Sequence, residues 1–158
     1  MPDRQERAPI RLGVPTPYLR VDDADQAIGF YKAVFDAEEG VRLTEPSGRV
    51  AHAELRIGEG GASLMLSDEY PESGIRGPAA LGGTSVALQV FVNDVESVLA
   101  AGAAAGGTVL KAPALDSFGD LAGKLRDPFG HEWLVSTQVE ALSPDEMVAR
   151  FRELMGNA

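Results

Sequence analysis

Thr16-Pro17-Tyr18-Leu19-Arg20-Val21-Asp22-Asp23 reads as an extended segment that runs directly into a helix cap. Proline cannot donate to a β-ladder, so Pro15 and Pro17 mark the strand expected over 10–21 as irregular or as an edge. Asp22 and Asp23 offer an N-cap carboxylate, and Ala27, Ile28, Tyr31, Val34 and Phe35 follow at helical spacing. The end of the stretch returns 71 positions later as Val92-Asn93-Asp94, closing a strand over 85–92. Asp94 then caps a second, shorter helix with Val95, Val98 and Leu99 on one face, stopped by Gly106-Gly107.

Three strands follow each helix. The first set covers 41–45 and 49–57, around the turn Pro46-Ser47-Gly48, and then 62–67 after Gly58-Glu59-Gly60-Gly61. The second set covers 108–111, 121–126 and 132–137. Gly61-Ala62-Ser63-Leu64 matches Gly130-His131-Glu132-Trp133 at an offset of 69, so the chain is a tandem βαβββ pseudo-repeat of the α+β class. Two such units bury one sheet face under helices and leave the other curved around a cleft lined by eight strands. One domain over 10–140 is expected, with modules at about 10–67 and 84–138, preceded by a flexible tail over 1–9. The Gly-, Pro- and acid-rich stretch 68–83 reads as a linker or a lid over a site. An extra C-terminal helix over 143–156 opens with a capping box, Ser143 and Glu146 with Pro144 between them. Its apolar stripe of Met147, Phe151, Leu154 and Met155 packs either on its own sheet or on a second subunit.

Composition narrows the function. The 158 residues carry 14 Lys and Arg against 24 Asp and Glu, a net charge of −10, which disfavours nucleic acid and anionic membrane surfaces as partners. With no Cys, a disulfide scaffold, a thiolate metal site and a cysteine nucleophile are excluded. The charged start and the absence of an apolar run of spanning length point to a cytoplasmic protein. Gly58-Glu59-Gly60-Gly61 is a hairpin rather than a phosphate loop, and no Gly-x-Ser-x-Gly elbow is present for a serine triad.

Thr16 to Asp23, Phe30-Tyr31, Phe35, His52-Ala53-Glu54-Leu55 and Asp127-Pro128-Phe129-Gly130-His131-Glu132-Trp133 together resemble the glyoxalase/bleomycin-resistance/extradiol-dioxygenase (vicinal oxygen chelate) superfamily, and within it the PhnB-like branch. The resemblance runs from about residue 12 to 140 and implies two βαβββ modules forming an incomplete eight-stranded barrel, with ligand or metal on the concave face. Metal-dependent members place His or Glu at four slots, which fall here on Thr16, Met65, Ala87 and Leu134. None of these is a strong donor for a divalent ion. The aromatic-Gly-Asp-Arg run of the family's loop is Phe118-Gly119-Asp120-Leu121 here, without the arginine.

Strict alternation in 51–57 puts His52, Glu54 and Arg56 on one strand face, as a solvated face, a ligand anchor, or a His52/Glu54 metal pair whose one obvious third donor, Glu132, nothing in the sequence places nearby. Tyr18 shares parity with Thr16, and Gln89 with Ala87, so both face the cleft if the family register holds. With Met65 and Leu134 they describe a mostly apolar pocket with a few polar anchors, suited to a flat organic compound. Phe118 lies in a loop that either closes over the cleft or makes a plain turn, and Trp133 is either core or a ligand platform. His131, after Gly130 in a tight turn, reads as structural.

The reading is a homodimeric, metal-free, cofactor-free small-molecule-binding protein holding an aromatic or apolar compound, with antibiotic sequestration as the role the resemblance implies. The expected ligand contacts are Tyr18, His52, Met65, Gln89, Phe118 and Trp133, with no catalytic residue. The alternative is a lyase, isomerase or dioxygenase of the same superfamily, metal-dependent or using His52 as general base.

Overall fold

The computed structural model describes residues 15–58 and 60–156, together with Gly13. The tail expected over 1–9 lies outside the described residues. Among the described residues strand pairing begins at β1 (Tyr18–Val21), since Pro15 and Pro17 have no N–H to place in a ladder; positions 10–12 and 14 of the strand expected over 10–21 lie outside the described residues. The Pro17 carbonyl still accepts from the Met65 N–H at 2.9 Å.

The first module continues with α1 (Ala24–Phe35), β2 (Glu38–Thr44), β3 (Val50–Ile57) and β4 (Ala62–Asp68). Asp23 is the N-cap of α1, its carboxylate accepting from the Gln26 N–H at 2.9 Å. The strands form a sheet in the order β1-β4-β3-β2, with β1 parallel to β4 and the other pairs antiparallel.

The segment read as a linker or lid is structured. Tyr70 and Ile75 exchange backbone hydrogen bonds around a 3-10 turn at Pro71–Ser73, and α2 (Pro78–Leu81) is a single helical turn. Gly77 packs so tightly on the Arg20 carbonyl that a Cβ there would collide with it. This segment therefore covers the free edge of β1, which would otherwise expose unpaired backbone.

The second module repeats the first: β5 (Ala87–Phe91), α3 (Val95–Ala104), β6 (Thr108–Leu115), β7 (Asp120–Arg126) and β8 (Glu132–Gln138), in the order β5-β8-β7-β6. Asp94 caps α3 as Asp23 caps α1. The repeat extends to a buried detail: the Asp68 carboxylate accepts the Ala24 N–H at the start of α1, and the Thr137 hydroxyl accepts the Val95 N–H at the start of α3. β6 runs to Leu115, longer than expected, because register irregularities on either side of Lys111 let the strand carry Pro113. α3 sits close on its sheet. A Cβ at Gly102 would meet Leu125 Cδ2 at 2.5 Å, and one at Gly123 would meet Leu99 Cδ1 at 2.5 Å.

The two helices lie between the two sheets. Leu19, Val21, Ala53, Leu55, Leu64 and Leu66 of the first sheet share one core with Leu125, Trp133 and Val135 of the second, and α1 fills the space between them. Phe35 of α1 lies with its ring 4.5 Å from that of Trp133, and Tyr31 stands 5.3 Å from it. The helix-side faces of both sheets therefore point inward, and the opposite faces point outward.

One carboxylate ties the modules together. Asp127, 3% exposed, accepts from the N–H groups of Phe129 and His131 through Oδ1, and from the Tyr31 hydroxyl (2.7 Å) and Trp133 Nε1 (3.0 Å) through Oδ2. Burial, and then the Asp127 charge, push the Tyr31 phenol well above its usual value, so Tyr31 serves as a donor at any working pH.

The last helix, α4 (Pro144–Gly156), starts as the capping box requires: the Ser143 N–H donates to Glu146 at 2.7 Å and the Glu146 N–H to the Ser143 hydroxyl at 3.4 Å. None of its residues is buried. Val148, Phe151, Leu154 and Met155 are exposed, so packing of this stripe on its own sheet is not observed.

Asp127→Ala is expected to destabilise the fold by about 3–5 kcal/mol, since it strands the Tyr31 O–H and Trp133 N–H without an acceptor. Tyr31→Phe, which removes one donor and leaves the others, is expected to cost about 1–2 kcal/mol. Urea denaturation of the two variants checks the order; equal losses would contradict the shared-acceptor account.

Candidate ligand face

The alternation read in 51–57 is realised in β3: Ala53, Leu55 and Ile57 turn into the core, and His52, Glu54 and Arg56 turn outward. Residues that pair across a sheet share a face, so the register fixes what surrounds them. Tyr18 pairs with Met65, Met65 with Glu54, and His52 with Leu43. Tyr18, His52 and Met65, three of the expected contacts, therefore stand together on the outer face of the first sheet.

Their polar atoms form a chain. The Tyr18 hydroxyl lies 2.8 Å from His52 Nδ1, and His52 Nε2 lies 3.4 Å from Glu54 Oε1. With the imidazole proton on Nε2, Tyr18 donates to Nδ1 and Nε2–H faces the carboxylate. Arg20 stands over the Tyr18 ring, with its guanidinium carbon 4.1 Å from the ring centroid, and donates to the Ser67 hydroxyl. Arg20 was missed in the sequence, although its place two residues beyond Tyr18 puts it on the same face.

Gln89 lies on the outer face of the second sheet. It pairs with Leu134, which pairs with Lys124, and Lys124 with Lys111. In the next row Phe91 pairs with Ser136 and Ala87 with Glu132. Glu132 binds Lys124 at 2.5 Å and Arg126 at 3.0 Å, and these two cations hold its carboxyl below the usual range. The repeat matches Tyr18 to Gln89, Met65 to Leu134 and Glu54 to Lys124, so the two outer faces carry opposite charge at one corresponding position. The offset of about 70 that identified the repeat could have revealed this last pair.

Phe118 is exposed at the tip of the β6–β7 turn, whose shape comes from the Asp116 carboxylate accepting the Phe118 and Asp120 N–H groups. Trp133 belongs elsewhere. It is 3% exposed while its neighbour Leu134 is 37% exposed, and its N–H is used by Asp127, so it is a core residue on the inner side of the sheet and does not share the outer face with the other expected contacts. His131 is structural as read, with Nε2 3.0 Å from the Arg20 carbonyl, joining the β7–β8 turn to β1. Two hollows among the described residues, about 420 and 530 Å3, touch none of the expected contacts. The outer faces are open surfaces in a single chain.

Met65 and Leu134 occupy the implied metal slots on these faces, but a thioether and an alkyl group, with Thr16 and Ala87 at the other slots, do not fit a divalent ion. Among the described residues no three His, Asp or Glu side chains converge to hold a metal elsewhere.

Two βαβββ modules with helices between them and polar-apolar sheet faces turned outward define a glyoxalase-type chain. A family model of the Glyoxalase/Bleomycin resistance protein/Dioxygenase superfamily matches residues 12–135, and the chain belongs to that superfamily. An uncharacterized protein of Mycobacterium bovis is 39% identical over 137 residues, covering 85% of this chain and 89% of that protein. Among solved structures, TioX from Micromonospora sp. ML1 is similar with a TM-score of 0.57 and 25% identity, over 83% of this chain and all of that one. A gene product from Arabidopsis thaliana gives a TM-score of 0.64 at 24% identity, over 80% and 99% of the two chains. FosX, a fosfomycin resistance protein of Listeria monocytogenes solved with manganese(II) and sulfate, gives 0.62 at 15%, over 90% and 99%. α4 lies beyond the matched residues. No helix among the described residues is long and apolar enough to cross a membrane.

Asp120 closes the outer face of the second sheet next to Asp116. Burial, and then the Asp116 charge, raise its carboxyl above the ordinary 3.8. The folded state then binds this proton more tightly than the unfolded state, so its contribution to stability falls as pH rises through the raised value. Asp120→Asn is expected to raise Tm at pH 7, with the gain vanishing below the ordinary carboxyl value of 3.8. Thermal melts across that range check it; a gain independent of pH would contradict the assignment.

Proposed function

We propose that this protein is a metal-free binding protein for an aromatic or otherwise apolar small molecule, held between the outer face of the first sheet in one copy and that of the second sheet in another. The observation that carries the reading is the outer face itself: Tyr18, His52 and Met65 stand side by side, with an aromatic ring, a polar relay and a soft side chain in one row or the next. A solvated face has no need of an aromatic ring and a thioether in adjacent rows. Because the helices separate the two sheets of one chain, its own second sheet cannot roof the first.

A homodimer with a two-fold axis closes both faces at once, each first sheet meeting its partner's second sheet. Opposite charge at the corresponding Glu54 and Lys124 positions supports that pairing, as do exposed Leu43 on one face and Phe91 and Leu134 on the other. Sequestration of an antibiotic is the role we favour. Antibiotic resistance stands in the superfamily's description, through bleomycin resistance, and in the name of FosX, a fosfomycin resistance protein similar to this chain in fold.

A thermal-shift screen of aromatic natural products is expected to find compounds that raise Tm by mass action, with the shift unchanged after exhaustive chelation. Tyr18→Ala is expected to weaken the best compound at least tenfold, or about 1.4 kcal/mol. Loss of binding on chelation would overturn the metal-free reading. Phe91→Asp, at a position exposed in the single chain, is expected to leave the fold intact, give a monomer in sedimentation and abolish the ligand shift. A monomeric wild type would overturn the composite cleft.

A further inference from the structure

We infer that the Tyr18–His52–Glu54 chain accepts the proton of a weakly acidic ligand, so that the site selects phenols or enols and holds them as anions beside Arg20. This rests on the outer face of the first sheet being the ligand face, and it names the ligand class that face takes. The geometry points to proton transfer rather than to a plain polar anchor. A lone anchoring hydroxyl would end at a fixed partner, whereas here the Tyr18 hydroxyl is backed by an imidazole at 2.8 Å, which is itself backed by a carboxylate at 3.4 Å. That order, hydroxyl to imidazole to carboxylate, is the one in which an imidazole can take a proton and keep it.

The step balances without any co-reactant. A ligand O–H donates to the Tyr18 oxygen and its bond breaks as a new Tyr18 O–H forms. The hydrogen that Tyr18 carried moves to His52 Nδ1. The ligand is left as an oxyanion and His52 as an imidazolium, whose Nε2–H remains directed at Glu54. The new negative charge lies next to the Arg20 guanidinium, held 4.1 Å from the Tyr18 ring centroid and fixed by Ser67.

Among the described residues, the neighbours that the sheet register sets around the imidazole leave the transfer to these residues. From β2 it faces Leu43, and Met65 of β4 completes the adjacent row; neither titrates. On β3, Arg56 is engaged by Glu38 of β2 at 2.9 Å. From β1 the charged neighbour is Arg20. Half-burial of His52 and Glu54 weakens screening of the new charges by water.

The test uses 4-nitrophenol, whose anion is coloured, with 4-nitroanisole as the analogue that has no O–H, and follows occupancy through the Met65 methyl carbon-13 signal of the whole chain. Both probes are expected to perturb Met65. Bound 4-nitrophenol is expected to show the anion's absorbance at a pH where the free compound is mostly neutral, its apparent ionisation constant raised at least about tenfold. In His52→Gln the enhancement is expected to fall below about threefold. Glu54→Gln tests the same chain from its other end and is expected to give an intermediate value. 4-Nitrophenol bound in neutral form, an enhancement that survives in His52→Gln, or binding of the anisole alone would overturn the relay and leave the ligand face standing. Failure of both probes to perturb Met65 would overturn the ligand face and the relay with it.

Discussion

The Asp127 carboxylate is the constraint on which the arrangement of the two modules depends. It lies in the tight turn before β8, where two of its acceptor positions shape the turn by taking the Phe129 and His131 N–H groups. The other oxygen takes the hydroxyl of Tyr31, 96 residues earlier on α1, and the indole N–H of Trp133. A buried carboxylate is costly unless its lone pairs are occupied, and here every donor comes from a residue whose own position it fixes. The consequence is architectural. Tyr31 can reach Asp127 only if α1 leans across the inner face of the second sheet, and once it does so the outer faces of both sheets are left to solvent.

The same turn stabilises the edge of the first sheet. His131, set by its N–H bond to Asp127, reaches the Arg20 carbonyl of β1, and Gly77 packs on that carbonyl from the linker. Arg20 thus has its backbone fixed by the inter-module contact while its side chain lies on the outer face over Tyr18. The residue that carries the positive charge of the candidate site is positioned by the interaction that orients the modules, which links core architecture to the chemistry of the face.

Most of the fold was legible in the sequence because it is written locally and then repeated. Asp23 and Asp94 announce both helices, the glycine turns announce the strands, and the alternation in 51–57 separates His52 and Glu54 from Ala53 and Leu55 with no knowledge of the tertiary structure. Within each sheet the candidate site followed from parity alone, as Tyr18 with Met65 and Gln89 with Leu134 show. What parity cannot carry is the relation between sheets. Whether modules meet within one chain or between two, which the sequence leaves open, depends on which way each sheet faces, and that is set by a contact between residues 31 and 127 with no local signature. Trp133 illustrates the point: alternation put it opposite Leu134, but only the core formed with Tyr31 and Phe35 shows which of the two sides is interior.

The divergence between the repeats is more informative about the site than their similarity. Where the modules correspond, positions that shape the backbone are kept in kind, as with the helix caps and the acceptors at Asp68 and Thr137. Several outward positions have separated, a phenol against an amide at 18 and 89, a carboxylate against an ammonium at 54 and 124, a guanidinium against a phenyl ring at 20 and 91, while Arg56 and Arg126 keep the same charge. A repeat under folding constraint alone has no physical reason to place opposite charges at matching exposed positions. Under the proposed pairing of the two faces the difference at 54 and 124 has a reason, because opposite charges on facing surfaces attract where like charges repel. The candidate face is therefore asymmetric, with Tyr18, His52, Glu54 and Arg20 on the first module and Gln89, Lys124 and Glu132 beside Phe91 and Leu134 on the second.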